Sequence, residues 1–368
     1  MKTVLHMIET AGPGGAESVF VDLITSLDKS RWRSIAVIPE TGWLHAQLSA
    51  AGVETHVLRE RRTFDAGYAA RLVSLVRRGK VDIIHSHLFG SAVRGSVISA
   101  MSGRPAVATL HGQTDLSENE SYRSIKLAAL KRLKRIVFVS EQLRDDILGM
   151  TTIDAGKVRV IPNGIEADRF GDVDRAKARA SLGIAPDDFL VGTVGNPGPA
   201  KGFDVLIETA SLLHSRSEGF RFIVAGDTSN GRGADIIALR DERKLEDIVS
   251  FIGFRSDVEN VMGALDLFLL PSRSEGFSLA LVEAMAAGLP VVATRCGGPE
   301  GIIDDGVTGV LVENGSPGAI ADAVEMLRGD AARRRSMGDA ARVIVAERYT
   351  RTAQTKAYEA LYTECLTS

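Results

Sequence analysis

Cysteine is nearly absent from this chain. Its 368 residues include only two, Cys296 and Cys365, without metal-ligand spacing, so they are expected to be buried or incidental thiols rather than a disulfide or a metal site. Long apolar runs are missing too. No stretch approaches the roughly 18 residues needed to cross a bilayer, and the opening strand-like run KTVLHMI has no signal-peptide cleavage pattern. The expected location is cytoplasmic, with the inner face of the plasma membrane as a peripheral option. Internal repeats, low-complexity tracts and a paired-carboxylate dyad at glycosidase spacing are also lacking.

What remains is the composition of an ordinary soluble globular protein, 45% hydrophobic and 25% charged. The length suggests two domains, each with ample core. The net charge is only −3 and no nucleic-acid partner is expected, but the distribution is uneven. Residues 1–165 carry 22 Lys and Arg against 16 Asp and Glu, while the remainder carries 22 against 31. A basic first half suits an anionic acceptor or an anionic membrane surface, and solvated surface accounts for it equally.

Short apolar runs alternate with helical-period segments, the pattern of repeated βα units and parallel sheets. In the first half the strand candidates are KTVLHMI, RSIAVI, VETHVL, VDIIHSH, PAVATLH, RIVFVS and KVRVIP; in the second they are FLVGTVG, FRFIVAG, IVSFIG, LDLFLLP, PVVAT and GVLV. The fold class is therefore α/β, with two doubly wound Rossmann-like domains facing across a cleft. Pro, Asn and Gly in IPNGIEADRF mark the boundary. The expected domains are 1–165, 166–345, and a C-terminal helix, 346–368, packing back across the junction. Open α/β sheets bind ligands at their carboxyl edges, so the cleft is the expected site.

One segment carries most of the chemistry. The run LDLFLLP stops at Pro271 and reads as a buried strand, residues 272–276 as the loop leaving it, and a helix is expected from near Phe277. A helix start offers free N–H groups and a favourable dipole to phosphates. Glu275 and Glu283 cannot bind phosphate, but they can accept hydrogen bonds from hydroxyls. Glu283 lies among Leu281, Val282, Ala284 and Met285, where a carboxylate needs a partner. Lys201, near the start of the helix after FLVGTVG, can neutralise charge on a departing diphosphate. Gly12, Gly14 and Gly15 form a Gly-rich turn opening a helix, and Glu17 on its first turn compensates the dipole. His111 ends the strand PAVATL and can donate to a hydroxyl or handle a proton. His85 and His87 are expected on opposite faces of their strand, and with no third ligand they are not read as a metal site. The DVD triplet, Asp172 to Asp174, falls away from any strand end and is read as chance. The basic segment SYRSIKLAALKRLKRI is expected to be one amphipathic helix, packed on the sheet or lying on anionic headgroups.

Taken in order, GPGGAE, DIIHSHLFGS, LHG, IPNGI, AKGFDVLI, SRSEGFSLALVEAMAAGLPVVAT and CGGPEGIIDDGVTG resemble glycosyltransferases of family 4, which are retaining, nucleotide-sugar-dependent enzymes of GT-B architecture. The resemblance implies a hexose-type unit moved from a nucleoside diphosphate sugar to an acceptor hydroxyl on a glycan, a lipid-linked compound or a small molecule, in bacterial cell-envelope or exopolysaccharide biosynthesis. It implies no metal and no dedicated base. His111 would stand beside the reacting carbon as a catalytic residue with Lys201 and Glu275. Gly14, Gly15, Gly195 and Asn196 would line the donor, Glu275 would accept from the transferred sugar, and Gly276, Phe277, Ser278 and Leu279 would present backbone to the phosphates. Glu283 would bind the ribose, residues 1–165 would take the acceptor, and residues 166–345 the donor. Two positions depart from the family: Asn196 and Pro197 stand where an arginine is common, and Gly301 stands where a glutamate is common. Two other readings therefore remain: a catalytically silent nucleotide-sugar-binding protein, and a nucleotide-sugar epimerase on the same fold.

Overall fold

The computed structural model describes residues 1–60, 65–112, 120–229 and 231–367. They divide into two compact units, residues 1–164 with 351–368, and residues 165–350. The first unit contains strands β1 (Lys2–Met7), β2 (Trp32–Ile38), β3 (Glu54–Val57), β4 (Ile83–His87), β5 (Ala106–Leu110), β6 (Arg135–Phe138) and β7 (Val158–Val160). They form one parallel sheet in the order β3-β2-β1-β4-β5-β6-β7. Its helices are α1 (Gly15–Ser26), α2 (Trp43–Ala50), α3 (Ala66–Arg78), α4 (Phe89–Ser102), α5 (Glu120–Leu130) and α6 (Glu141–Met150).

The second unit holds α7 (Arg175–Ser181), β8 (Phe189–Val194), α8 (Phe203–Arg216), β9 (Phe220–Ala225), α9 (Gly231–Glu242), β10 (Val249–Phe251), α10 (Val258–Ala264), β11 (Leu267–Leu270), α11 (Leu279–Ala286), β12 (Val291–Thr294), β13 (Val310–Val312), α12 (Pro317–Gly329) and α13 (Ala331–Arg348). Its parallel sheet runs β10-β9-β8-β11-β12-β13. The last helix, α14 (Arg351–Thr367), belongs to the first unit and packs on α1 and β4.

Strands covered by helices on both faces are buried at every position, as β4, β5, β11 and β12 are, and their residues are apolar except for His85, Ser86 and His87 of β4, Thr109 of β5 and Thr294 of β12. The core of the second unit centres on Phe203, Leu206, Phe222, Leu267, Leu269 and Val324. In the first unit Tyr358 and Tyr362 of α14 join Leu23, Trp32, Ile83 and Val107 in one cluster. Helix starts follow local capping chemistry: the side chains of Asp65, Ser140, Asp174, Ser278, Ser316 and Asp330 each accept an amide of the first turn. Asp174, from the DVD triplet, is thus the N-cap of α7.

One expected helix is shorter than the sequence suggests. The basic segment stops being helical at Leu130, where the amides of Arg132 and Leu133 turn back onto the carbonyls of Ala129 and Leu130 and the chain is drawn into β6. Arg135 opens that strand and donates to Glu364 of α14, 2.6 Å away. The charges are therefore spread over a helix, a turn and a strand. Among the described residues, no helix is long and apolar enough to cross a membrane.

Gly202 shows how tightly the second sheet edge is built. Its φ is +63°, and a Cβ there would run into the carbonyl of Pro271. Gly202→Ala is expected to cost about 2 kcal/mol or more, because left-handed strain and a backbone clash add. Urea unfolding followed by circular dichroism measures this, and an unchanged midpoint would refute the clash.

Candidate functional site

In the second unit the strand order reverses between β8 and β11, and parallel open sheets take ligands outside the strand ends at such a point. Gly195 and Asn196 follow β8, and residues 272–276 follow β11. Lys201 lies in a 3-10 turn, Pro199–Lys201, two residues before α8 rather than on that helix, because Gly202 interposes its left-handed turn. Its Nζ donates to Glu275 Oε1 at 2.8 Å, and Ser272 Oγ donates to the same oxygen at 2.7 Å. The Glu275 side chain is 8% exposed and that of Lys201 32%, so the pair is sheltered but reachable. Oε2 of Glu275 has no hydrogen-bond partner among the described residues.

Backbone bonds hold this pair in place. The amides of Arg273 and Ser274 both donate to the Ala200 carbonyl, which ties the loop after β11 to the turn that carries Lys201. Glu275 also forms an isolated parallel bridge with Gly297: its amide donates to Cys296 and its carbonyl accepts from Gly298 at 2.7 Å. The aliphatic stem of Lys201 passes beside Gly195. Gly195, Lys201 and Glu275 therefore meet.

Helix α11 begins at Leu279, two residues later than expected, because Ser278 takes the N-cap and accepts the Leu281 amide on its hydroxyl. The Val282 amide bonds Ser278 O, which leaves the amides of Leu279 and Ala280 without a partner among the described residues. Gly276 precedes the cap, and Phe277 is buried with its ring edge-on to Tyr349. Glu283 lies in the second turn of α11, half-buried, with Leu281, Val282, Ala284 and Met285 buried around it. Asn196 is exposed and its Oδ1 accepts the Asp227 amide at 2.9 Å, bridging the loops after β8 and β9.

Glu300, next to Gly301, has a structural role. Its carboxylate accepts the amides of Cys296 and Gly297, closest at 3.0 Å, and so orders the loop after β12. The capping-box spacing of Gly297 to Glu300, with a proline between, was the available signal. Burial pushes the Cys296 thiol up to about 12, which removes it as a nucleophile.

Gly14, Gly15 and His111 belong to the first unit. Gly14 is the N-cap of α1 and Gly15 its first residue, with the buried Glu17 carboxylate folded against Gly14. His111 follows β5, and its Nε2 is 3.1 Å from His87 Nδ1 with the rings stacked. His85 and His87 lie on one face of β4, ring centroids 4.3 Å apart, contrary to expectation. Strand side chains alternate, so residues two apart share a face. A third histidine joins them: His6 of β1 pairs in register with His85, and His6, His85 and His87 bring ring nitrogens within 4.8 Å. Both nitrogens of His85 are already engaged, by Tyr362 Oη at 2.6 Å and Thr109 Oγ1 at 2.8 Å. A metal there would have to break this network, which joins β4, β5 and α14.

The network also sets a tautomer. His87 Nε2 is buried without a partner, and a buried orphan acceptor is tolerated better than a buried orphan donor. His87 therefore donates from Nδ1 to His111 Nε2, which leaves the proton of neutral His111 on Nδ1. Burial pushes His111 down to about 4, so it is neutral at physiological pH.

Comparison with known proteins identifies the family. The profile described as Glycosyltransferase Family 4 matches residues 13–169, and that described as Glycosyl transferases group 1 matches residues 174–343. A D-inositol 3-phosphate glycosyltransferase of Mycobacterium sp. (strain KMS) is 33% identical over 297 residues, covering 76% of this chain and 64% of that protein. The counterpart in Actinosynnema mirum is 28% identical over 345 residues, 88% of this chain and 82% of its own. The match thus spans less than two thirds of the length of the mycobacterial relative. Among solved structures, Anabaena Alr3699/HepE in complex with UDP-glucose superposes with a TM-score of 0.90 at 23% identity, covering 99% of this chain and 100% of that one. Sucrose-phosphate synthase from Thermosynechococcus elongatus gives 0.83 at 21%, covering both chains fully at 100%. The fold is that of GT-B glycosyltransferases, and the chain belongs to glycosyltransferase family 4.

The buried imidazoles make a pH prediction. Burial lowers His6 to about 3, and it lowers His85 and His87 well below the usual range. Unfolded imidazoles titrate near 6.5, so the stability that these neutral groups contribute is complete above that pH and is lost as pH falls toward the folded values. Between pH 7.5 and 5.5, above most carboxylate titrations, each buried imidazole is expected to withdraw about 1 kcal/mol. Urea midpoints read at both pH values should fall accordingly, and less steeply in His6→Leu. Equal slopes in the two proteins would refute the assignment.

Proposed function

We propose that the chain is a retaining, metal-independent glycosyltransferase that moves a hexose-type unit from a nucleoside diphosphate sugar to an acceptor hydroxyl. The observation that carries this reading is the Lys201–Glu275 pair at the reversal point of the second sheet, a few residues before the Leu279 and Ala280 amides, which have no partner among the described residues. As the bond between the anomeric carbon and the diphosphate oxygen breaks, negative charge grows on the leaving group, and the Lys201 ammonium with the amides of Leu279 and Ala280 stabilises it. Glu275 anchors Lys201 with one oxygen and offers the other to a sugar hydroxyl, while Glu283 takes the ribose hydroxyls. His111 donates from Nδ1 to the sugar. The acceptor enters on the face from which the diphosphate leaves, and a phosphate oxygen takes its proton, so no side-chain base is required.

Two facts about similar proteins support the donor class: the Anabaena structure holds UDP-glucose, and the curated relatives are named as glycosyltransferases. The cellular role proposed is assembly of cell-envelope glycan or exopolysaccharide in the cytoplasm, with acceptors presented in solution or on a lipid. Contact with an anionic membrane is separable from catalysis, and liposome flotation with anionic against neutral lipid tests it. One observation favours a silent binding protein instead: Asn196 replaces the arginine common at that position, and its side chain is engaged with Asp227.

Incubation of the chain with UDP-glucose and other nucleoside diphosphate sugars, with nucleotide release and anomeric proton signals followed by NMR, separates the readings. Slow nucleotide release with an α-configured product supports transfer, sugar isomerisation supports an epimerase, and binding without turnover supports the silent module. Lys201→Ala is expected to lower kcat by about 10²–10³. Glu283→Ala should weaken UDP binding by about tenfold or more in calorimetry, and unchanged affinity would sink the ribose assignment.

A further inference from the structure

The first unit contains a cavity of about 450 Å³ that none of the assigned residues explains. It lies between α3, α4 and α5, beyond the carboxyl ends of β1 and β4. The strand order of this sheet reverses between those two strands, so the cavity occupies the ligand position of an open parallel sheet. Its size falls in the range of small-molecule sites. One wall is apolar: Leu72, Val93 and Ile98, continuing to Val97 and Ile125, which are 42% and 41% exposed.

The polar end has a definite charge pattern. Glu9, just past β1, accepts the Gly90 amide at 2.9 Å, and a Cβ at Gly90 would collide with that carboxylate. Arg94 of α4 donates from Nη1 to Glu9 Oε2 at 2.8 Å, and from Nε and Nη2 to Glu60 Oε2 at 2.9 and 2.6 Å. All three guanidinium nitrogens are thus committed to carboxylates. Counting Asp65 and Lys126 elsewhere in the lining, three carboxylates face two cations, and Oε1 of Glu60 has no partner among the described residues. Such an end accepts hydrogen bonds from hydroxyls and repels a phosphate.

We propose that this cavity is the acceptor subsite, and that it selects an uncharged amphiphile whose hydroxyl-bearing head meets Glu9 and Glu60 and whose apolar part lies along Leu72, Val93 and Ile98. The inference rests on the transfer reading for the word acceptor, and it sets this chain apart from the phosphorylated acceptor in the names of its relatives.

The test uses the full chain, with n-octyl β-D-glucopyranoside below its micelle concentration, D-glucose and D-inositol 3-phosphate as probes, each titrated in a calorimeter. The octyl glucoside is expected to bind, with D-glucose and D-inositol 3-phosphate weaker by about tenfold or more. Ala69→Phe, which fills the cavity, and Val97→Glu, at a half-exposed position where folding is not at stake, should each weaken octyl glucoside by about tenfold. Octyl glucoside that fails to bind, binds no better than the phosphate ester, or binds both variants as it binds the parent overturns the proposal. UDP titrated in parallel reads the donor site, so loss of octyl glucoside binding with UDP binding intact leaves the transferase reading standing, and absence of UDP binding in the parent chain counts against that reading instead.

Discussion

A parallel strand pair cannot be closed by a hairpin, and this constraint shapes both units. Most connections climb back over the sheet as a helix, the 3-10 turn Gly298–Gly301 between β12 and β13 being the exception within the units, and the strands discharge their loops at one edge. Where the order reverses, the loops part to opposite sides and leave a space that neither fills. Glu9 and Gly90 border that space in the first sheet; Gly195, Lys201 and Glu275 border it in the second. The chemistry is concentrated where the chain has least of its own structure to put there.

Neither place is left loose. Glu275 is fixed through its amide, its carbonyl and one carboxylate oxygen, so that a single oxygen remains for a ligand. A partly buried ion pair of this kind contributes little net stability, since desolvation offsets most of the attraction. In the proposed transfer its value is orientation: an ammonium held at 2.8 Å by a carboxylate that is itself pinned would need no reorganisation as charge develops on a leaving group. In the first unit the same principle runs through neutral groups, with Tyr362, His85 and Thr109 forming a buried chain and His87 presenting His111 in one protonation form.

Much of this was legible in the sequence. All the strand candidates form, most of them as short apolar runs although β4 carries His85, Ser86 and His87, and glycine, proline and asparagine mark where they stop. Lys201 and Glu275 could be placed at strand ends, although their direct contact could not, since it depends on the backbone bond from Arg273 to Ala200. The misread features were local contests. Serine at 278 won the cap over Phe277; the demand of β6 for a strand ended α5 at Leu130; and treating residues two apart as opposed hid the histidine cluster. His6 was visible in KTVLHMI, but its register with His85 is a property of the sheet. Glu9 and Glu60 had no motif at all, since they are joined only by an arginine from a helix distant in sequence.

Helix α14 supplies Tyr358 and Tyr362 to the first unit, yet residues 165–350 are made before it. During synthesis at roughly 5–20 residues per second, the nascent first sheet waits on the order of ten to forty seconds for the helix that covers it. Throughout that interval the inner face of β1 and β4, with its imidazoles, stays open to water and to other chains. A chain cut short before residue 351 would expose the face that α14 hides.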